Sequence, residues 1–423
     1  MSRLFATHIH TNEIGDIYRR FADTIGDKCW RARVRTIKES YRYKPLVQKY
    51  YEDEHKIAFQ LSRIHDLQQR YGAVSHYIAN DSSIYPAAGF AAQILSLIES
   101  ASKDEASKIR SRVRGAFQQT GGIRGMQLEL QVASHFLSIG RRVSWTEEIN
   151  AKMFDLLVER EGDDPLEVEC KAISEDTGRK IRRIDVIEFF TLMQPHLSKQ
   201  LGDLNTGLAV ILTVPERLPA DHRGRLVLGK AISRAILGGA EGLPYNASFR
   251  QNQFDTRQLT NVPENSSEYR EVIDRVTSTV NKSACIFVNP HGGILLLIIQ
   301  SEKDDKLLKV AFDKFAEATK EQLTGTRAGM VVAEFEGLSR QQMFSVAQQD
   351  NNPSKPPTAL RVASHEFFLS ESRSHVVGIG LLSHSEIQKR SPAELTSAGV
   401  AYYFPNRDSS FWSESFSGIF PEL

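Results

Sequence analysis

Cysteine is scarce in this 423-residue chain. The three that occur, Cys29, Cys170 and Cys285, stand far apart, which argues against a disulfide framework and against a zinc site built on paired thiolates. Long apolar runs are also missing. The longest, Ile294 to Ile299, is far too short to cross a bilayer, and the opening residues lack the apolar segment of a secretory signal. No membrane association and a cytoplasmic location are therefore expected. The twelve histidines show no HExxH spacing, and no GxSxG nucleophile turn occurs. Gly224 to Ala231 superficially matches a phosphate-binding loop, but Ala231 stands where the metal-ligating hydroxyl belongs. Net charge is nearly absent too, formally +1, so the chain as a whole is no polycation.

What is present describes a globular protein with room for two or three domains: 41% hydrophobic and 25% charged residues. Charge is uneven. Between Lys28 and Lys49 there are eight basic residues and one acid, Glu39. On a helix, Arg31, Arg35, Lys38 and Arg42 would line up beside an apolar stripe of Trp30, Val34, Ile37 and Tyr41. Such a stripe is either a phosphate-tracking surface or the wet side of an amphipathic helix.

The residues with chemical potential concentrate between Met153 and Ile173. Read as strands, Met153 to Glu159 and Leu166 to Ile173 alternate with period two. Phe154, Leu156 and Val158 share one side and Asp155 takes the other. In the second run Leu166, Val168, Cys170 and Ala172 face one way, Glu169 and Lys171 the opposite way. The spacer from Arg160 to Pro165 has the Gly, Asp and Pro content of a hairpin loop, which would set Asp155 opposite the Glu169/Lys171 region. Two carboxylates so placed repel unless a divalent cation lies between them, and an all-oxygen site suits Mg²⁺ or Mn²⁺. A lysine beside that ion can orient an attacking water or balance charge on a phosphate. The alternative is an ordinary solvated face of an antiparallel pair, the role expected of Glu159, Glu161 and Glu167.

Asp155, followed after a hairpin-sized gap by Glu169-Cys170-Lys171, resembles the active-site signature of the PD-(D/E)xK nuclease superfamily, with Phe154 in place of the nominal proline. The resemblance implies an α/β fold with a restriction-endonuclease-like αβββαβ core over residues 116–245. Its elements would be a helix from Gly125 to Gly140, a strand from Arg142 to Glu147, the hairpin, a helix from Arg183 to Met193, and a fourth strand from Gly207 to Thr213. It also implies a glutamate on the first helix. Glu129 lies within the apolar stripe of Met126, Leu130, Ala133, Phe136 and Leu137. It either reaches the metal, directly or through water, or sits at the stripe's edge, meeting solvent or pairing with Arg124 or Arg142.

By this resemblance Asp155 and Glu169 ligate Mg²⁺ (or Mn²⁺), Lys171 positions water or balances charge, and Glu129 assists. The expected activity is metal-dependent hydrolysis of phosphodiester bonds, in DNA sooner than RNA, with bacterial defence or restriction as a natural setting. The competing expectation is a non-catalytic or partner-gated nucleic-acid-binding scaffold that keeps the fold. Arg179, Lys180, Arg182 and Arg183, where the chain should enter its next helix, are the candidate phosphate contacts.

Around that core the pattern suggests a helical region over 1–115 and an α/β region over 283–423, the places where a protein partner or second copy would dock. Asn246 to Ser267 reads as a connector. Beyond it come a hairpin of Ala284–Val288 and Ile294–Gln300, a helix from Lys306 to Leu323, and strands at Gly329–Phe335, Val376–Leu382 and Gly399–Phe404.

Overall fold

A computed structural model describes residues 8–72, 74, 83–119, 121–145, 154–238, 242–260, 262, 267–279, 283–383, 386–391 and 394–420. The chain is a mixed α/β protein of two compact units. One comprises residues 1–40, 51–177 and 308–423; the other comprises 41–50 and 178–307. In chain order the strands are β1 His8–His10, β2 Arg142–Trp145, β3 Leu156–Glu159, β4 Leu166–Ile173, β5 Gly207–Val214, β6 Ser248–Phe254, β7 Ser283–Val288, β8 Ile294–Ser301, β9 Ala328–Phe335, β10 Val376–Leu382, β11 Glu386–Ser391, β12 Glu394–Ala398 and β13 Ala401–Pro405.

In the first unit, helices Ile14–Ile25, Lys28–Ser40, Lys56–Tyr71, Tyr85–Ser100 and Lys103–Gln118 enclose an aromatic core. Trp30 sits 5.4 Å from Phe21 and 5.5 Å from Phe117, ring centre to ring centre. Each such ring, fully buried, contributes roughly 1.5–3 kcal/mol. The expected stripe holds over the helix Lys28–Ser40, where Trp30, Val34 and Ile37 are buried and Arg31, Arg35 and Lys38 are exposed, but Tyr41 and Arg42 lie in the turn beyond it. The next helix, Gly122–Ser138, serves two cores. Met126 and Leu130 complete the helical cluster, and Leu128, Val132, Ala133 and Phe136 pack on a six-stranded sheet ordered β13-β10-β9-β4-β3-β2.

This sheet corrects the expected order of elements. The segment Gly207–Thr213 is not the strand beside β4; it is β5 and belongs to the second unit. β9 lies parallel to β4 instead, with Leu166 opposite Ala328 and Ile173 opposite Phe335. The helix expected at Arg183 likewise lies in the second unit as Arg183–Asp203, and the helix that precedes β9 is Leu307–Glu321. A core over 116–245 and a separate region over 283–423 are therefore redrawn, with boundaries at 177/178 and 307/308. The helices of residues 1–115 share a unit with the sheet, except for 41–50. The reason is physical: β5 and β9 are both apolar strands buried on both faces, so local pattern cannot tell which of them meets β4.

The second unit is an insertion whose ends meet. Gly178 accepts a hydrogen bond from the Lys306 amide at 2.9 Å. Its φ of +74° and the approach of Lys306 and Leu307 backbone to 2.7 Å of where a Cβ would stand both require glycine. Within the unit, the sheet order is β6-β5-β8-β7. Helices Arg183–Asp203 and His222–Ile236 cover one face through Phe189, Phe190, Met193 and Leu228, and Ser267–Thr277 covers the other through Val272 and Ile273. Residues Gly224–Ala231 lie inside the helix His222–Ile236, so no phosphate loop exists there. Asn246 to Ser267 is no simple connector either, because it contains β6. Most β6 side chains are exposed at the sheet edge, which is why its composition reads as loop.

Candidate functional site

The β3–β4 hairpin pairs Leu156 with Val168 and Val158 with Leu166. Its apolar face, including Leu156, Val158, Leu166 and Val168, is buried against helix Gly122–Ser138, with Cys170 and Ala172 beside it. Alternation then sends Glu167, Glu169 and Lys171 to the opposite face. Asp155 directly precedes β3, and its Oδ2 accepts the Cys170 amide at 2.8 Å. The acid is thereby tied to β4 next to Glu169, as the sequence pattern suggests. Residues 146–153, including the expected end of β2 at Glu147 and Met153, lie outside the described residues.

Glu169 is 1% exposed. Lys171 Nζ donates to its Oε1 at 2.7 Å and to Gln322 Oε1 at 2.7 Å. Glu169 Oε2 is buried and meets no hydrogen-bond donor among the described residues. Burial first, then the nearby Asp155 charge, pushes the Glu169 carboxyl well above the usual carboxylate range. Burial likewise raises Asp155, against the opposing pull of the Cys170 amide, Arg112 and Lys171. Two desolvated acids side by side are the arrangement that a divalent cation relieves. The Cys170 thiol is pushed far up by desolvation and then by the surrounding carboxylates, so it is a poor nucleophile.

Glu129 is buried, and its partner is neither Arg124 nor Arg142. Arg112, from helix Lys103–Gln118, places Nη2 2.6 Å from both Glu129 oxygens and 3.7 Å from Asp155 Oδ1. Arg124 instead bonds Glu336 at 2.9 Å and Glu54 at 3.4 Å. Glu167 does not belong to a solvated face. It is fully buried, accepting from the Thr324 amide at 2.8 Å and hydroxyl at 2.7 Å, with Arg327 at 3.6 Å.

The predicted basic group falls in the second unit, where its members have work of their own. Lys180 Nζ donates to Glu216 at 2.6 Å, Arg182 Nε to Asp185 at 2.9 Å, and the Arg183 guanidinium lies 5.8 Å from the Tyr50 ring centre. Arg179 is half-buried. Arg112 and Gln322 are the site residues that sequence reasoning missed. Neither is in the hairpin, and an arginine among several on one helix or a glutamine at a helix end carries no local signal.

As a test of metal fit, the chain offers two adjacent carboxylates, one with an unengaged buried oxygen. Among the described residues no group of three or more His, Cys, Asp or Glu side chains is placed to hold an ion. That donor set suits Mg²⁺, which commonly takes one or two carboxylates and completes its shell with water and substrate phosphate. It does not suit a closed structural site. No helix among the described residues is long and apolar enough to cross a membrane. No protein-family model, curated protein or solved structure matches the chain.

Proposed function

We propose that the chain is a divalent-metal-dependent nuclease of PD-(D/E)xK type that hydrolyses phosphodiester bonds in nucleic acid, DNA in preference to RNA. The observation that carries the reading is the Asp155–Glu169 pair on adjoining chain segments, with Glu169 buried, Lys171 on the same face and no donor to Glu169 Oε2 among the described residues. The order helix Gly122–Ser138, β2, β3, β4, helix Leu307–Glu321, β9 supports it. This is an αβββαβ run with residues 178–307 interposed.

Asp155 and Glu169 would hold Mg²⁺ or Mn²⁺. Such an ion would supply charge to polarise a phosphate and to activate an attacking water. The Cys170 amide fixes the Asp155 carboxylate, and the Lys171 ammonium is set to donate to a phosphate oxygen as charge develops. Arg112 links Glu129 to the Asp155 side of the site, so Glu129 acts through Arg112 in orienting that carboxylate. Preference for DNA and a setting in bacterial defence follow from the resemblance alone.

The test is cleavage of supercoiled plasmid, linear DNA and RNA with Mg²⁺, Mn²⁺ or EDTA. Wild type is compared with Asp155→Ala and Lys171→Ala. Metal-dependent cutting should fall about 10²–10³-fold in either variant; cutting that persists in both would place the chemistry elsewhere. One observation favours a second reading. Every acid of the site already has a cation of the chain near it: Arg112 serves Glu129 and Asp155, and Lys171 serves Glu169. Metal binding without cleavage would identify a nuclease gated by a partner, and absence of metal binding a nucleic-acid-binding scaffold.

A further inference from the structure

Lys171 has two acceptors, and the second comes from far along the chain. Its Nζ is shared between Glu169 Oε1 and Gln322 Oε1, each at 2.7 Å. Gln322 follows helix Leu307–Glu321 directly and begins the segment leading into β9. That segment is fastened to β4. Thr324 gives its amide and hydroxyl to Glu167, Arg327 lies 3.6 Å from the same carboxylate, and Leu323 is fully buried. Glu167 and Lys171 share one face of β4, four positions apart, so the segment is pinned along that face at two points.

We infer that Gln322 is a positioning residue for Lys171, an inference that rests on the nuclease reading of the site. A neutral amide oxygen takes one of the three ammonium protons without competing for the positive charge. The ammonium therefore stays on Oε1 of Glu169, away from Oε2, and the carboxylate is divided into one oxygen for lysine and one for the metal. A lysine side chain has several rotatable bonds, and with Glu169 as its sole anchor it could swing off that geometry. An anchored one is held within the narrow tolerance that a reacting group needs.

Gln322→Met keeps the length and volume of the side chain but loses the acceptor, whereas Gln322→Glu keeps an acceptor. On plasmid DNA in Mg²⁺, Gln322→Met should lower kcat on the order of tenfold relative to wild type with KM unchanged, and Gln322→Glu, whose charged carboxylate competes with Glu169 for the ammonium, should not restore it. In a Lys171→Ala background, Gln322→Met should cost nothing further. Acylation of Lys171 by an amine-reactive reagent, followed by mass spectrometry, should be severalfold faster in Gln322→Met than in wild type. Wild-type kcat in Gln322→Met, or a loss that adds to that of Lys171→Ala, overturns the inference. If wild type cleaves nothing, the reading of a nuclease active on its own falls, and the acylation rates decide the positioning contact separately. Equal rates in the two proteins would remove the positioning contact as well.

Discussion

Glu167 and Glu169 stand two residues apart on the same face of β4, and both are almost wholly buried, at 0% and 1% exposure. Their surroundings differ. Glu167 has a backbone amide, a hydroxyl and a guanidinium within reach of its two oxygens. Glu169 has a lysine on one oxygen, a second acid close by and, among the described residues, no donor on the other. A buried carboxylate that is fully satisfied ties segments together; one left half-satisfied stores a cost that a ligand can relieve. Two neighbouring positions on one face of the strand thus separate a fully satisfied buried acid from a half-satisfied one.

The largest expected effect is on the structural side. Glu167→Ala strands the Thr324 donors and Arg327, and should lower unfolding free energy by about 3 kcal/mol in denaturant titration. Glu169→Ala should cost far less. Comparable losses would erase the distinction. Next comes metal. Mg²⁺ at about a hundredfold its dissociation constant should stabilise wild type and Glu167→Gln by about 2.7 kcal/mol. Glu169→Gln should gain almost nothing, as read by melting curves with Mg²⁺ and EDTA.

A smaller effect sharpens the contrast through pH. The folded chain holds the Glu169 proton more tightly than the unfolded chain does. That contribution is present in acid and is lost as pH rises through the raised pKa. Glu169→Gln should therefore stabilise metal-free protein more at about pH 8 than at about pH 5. His55 runs the other way and is the smallest. Burial, then Arg33 and Arg124, lower its pKa from 6.5 to about 4. Its contribution is full above 6.5 and disappears as pH falls toward 4, a loss on the order of 1–2 kcal/mol after solvent screening. His55→Asn should flatten that part of the stability profile; an unchanged slope would assign it to other groups.

Local geometry was legible in the sequence, and partnership across distance was not. Period-two alternation placed Asp155 against β4 and put Glu169 and Lys171 on one face, because hairpin register is decided within a few residues. Helical spacing picked out Met126, Leu130, Ala133 and Phe136 of Gly122–Ser138 but missed Leu128, Val132 and the division of the helix between two cores. The same alternation misread Glu167 as solvated: it tells that a side chain leaves the first core, not that a second layer covers it. Gly207–Thr213, expected as the fourth strand of the core, pairs in the second unit instead, and nothing in an apolar strand names its partner. Arg112 and Gln322 reach the site from other elements, and only tertiary structure brings them there.

The pairing of β4 with β9 has a consequence in time. Asp155, Glu169 and Lys171 leave the ribosome together, but Gln322, Thr324 and β9 follow only after all of residues 178–307. At roughly 5–20 residues per second the delay is on the order of ten seconds. During it β4 lacks its β9 neighbour, Glu167 lacks its Thr324 donors and Lys171 lacks its second anchor. A nascent or truncated chain ending before β9 carries the whole motif without the centre. Until β9 has been made, the Asp155, Glu169 and Lys171 group stays without the partners that complete its surroundings.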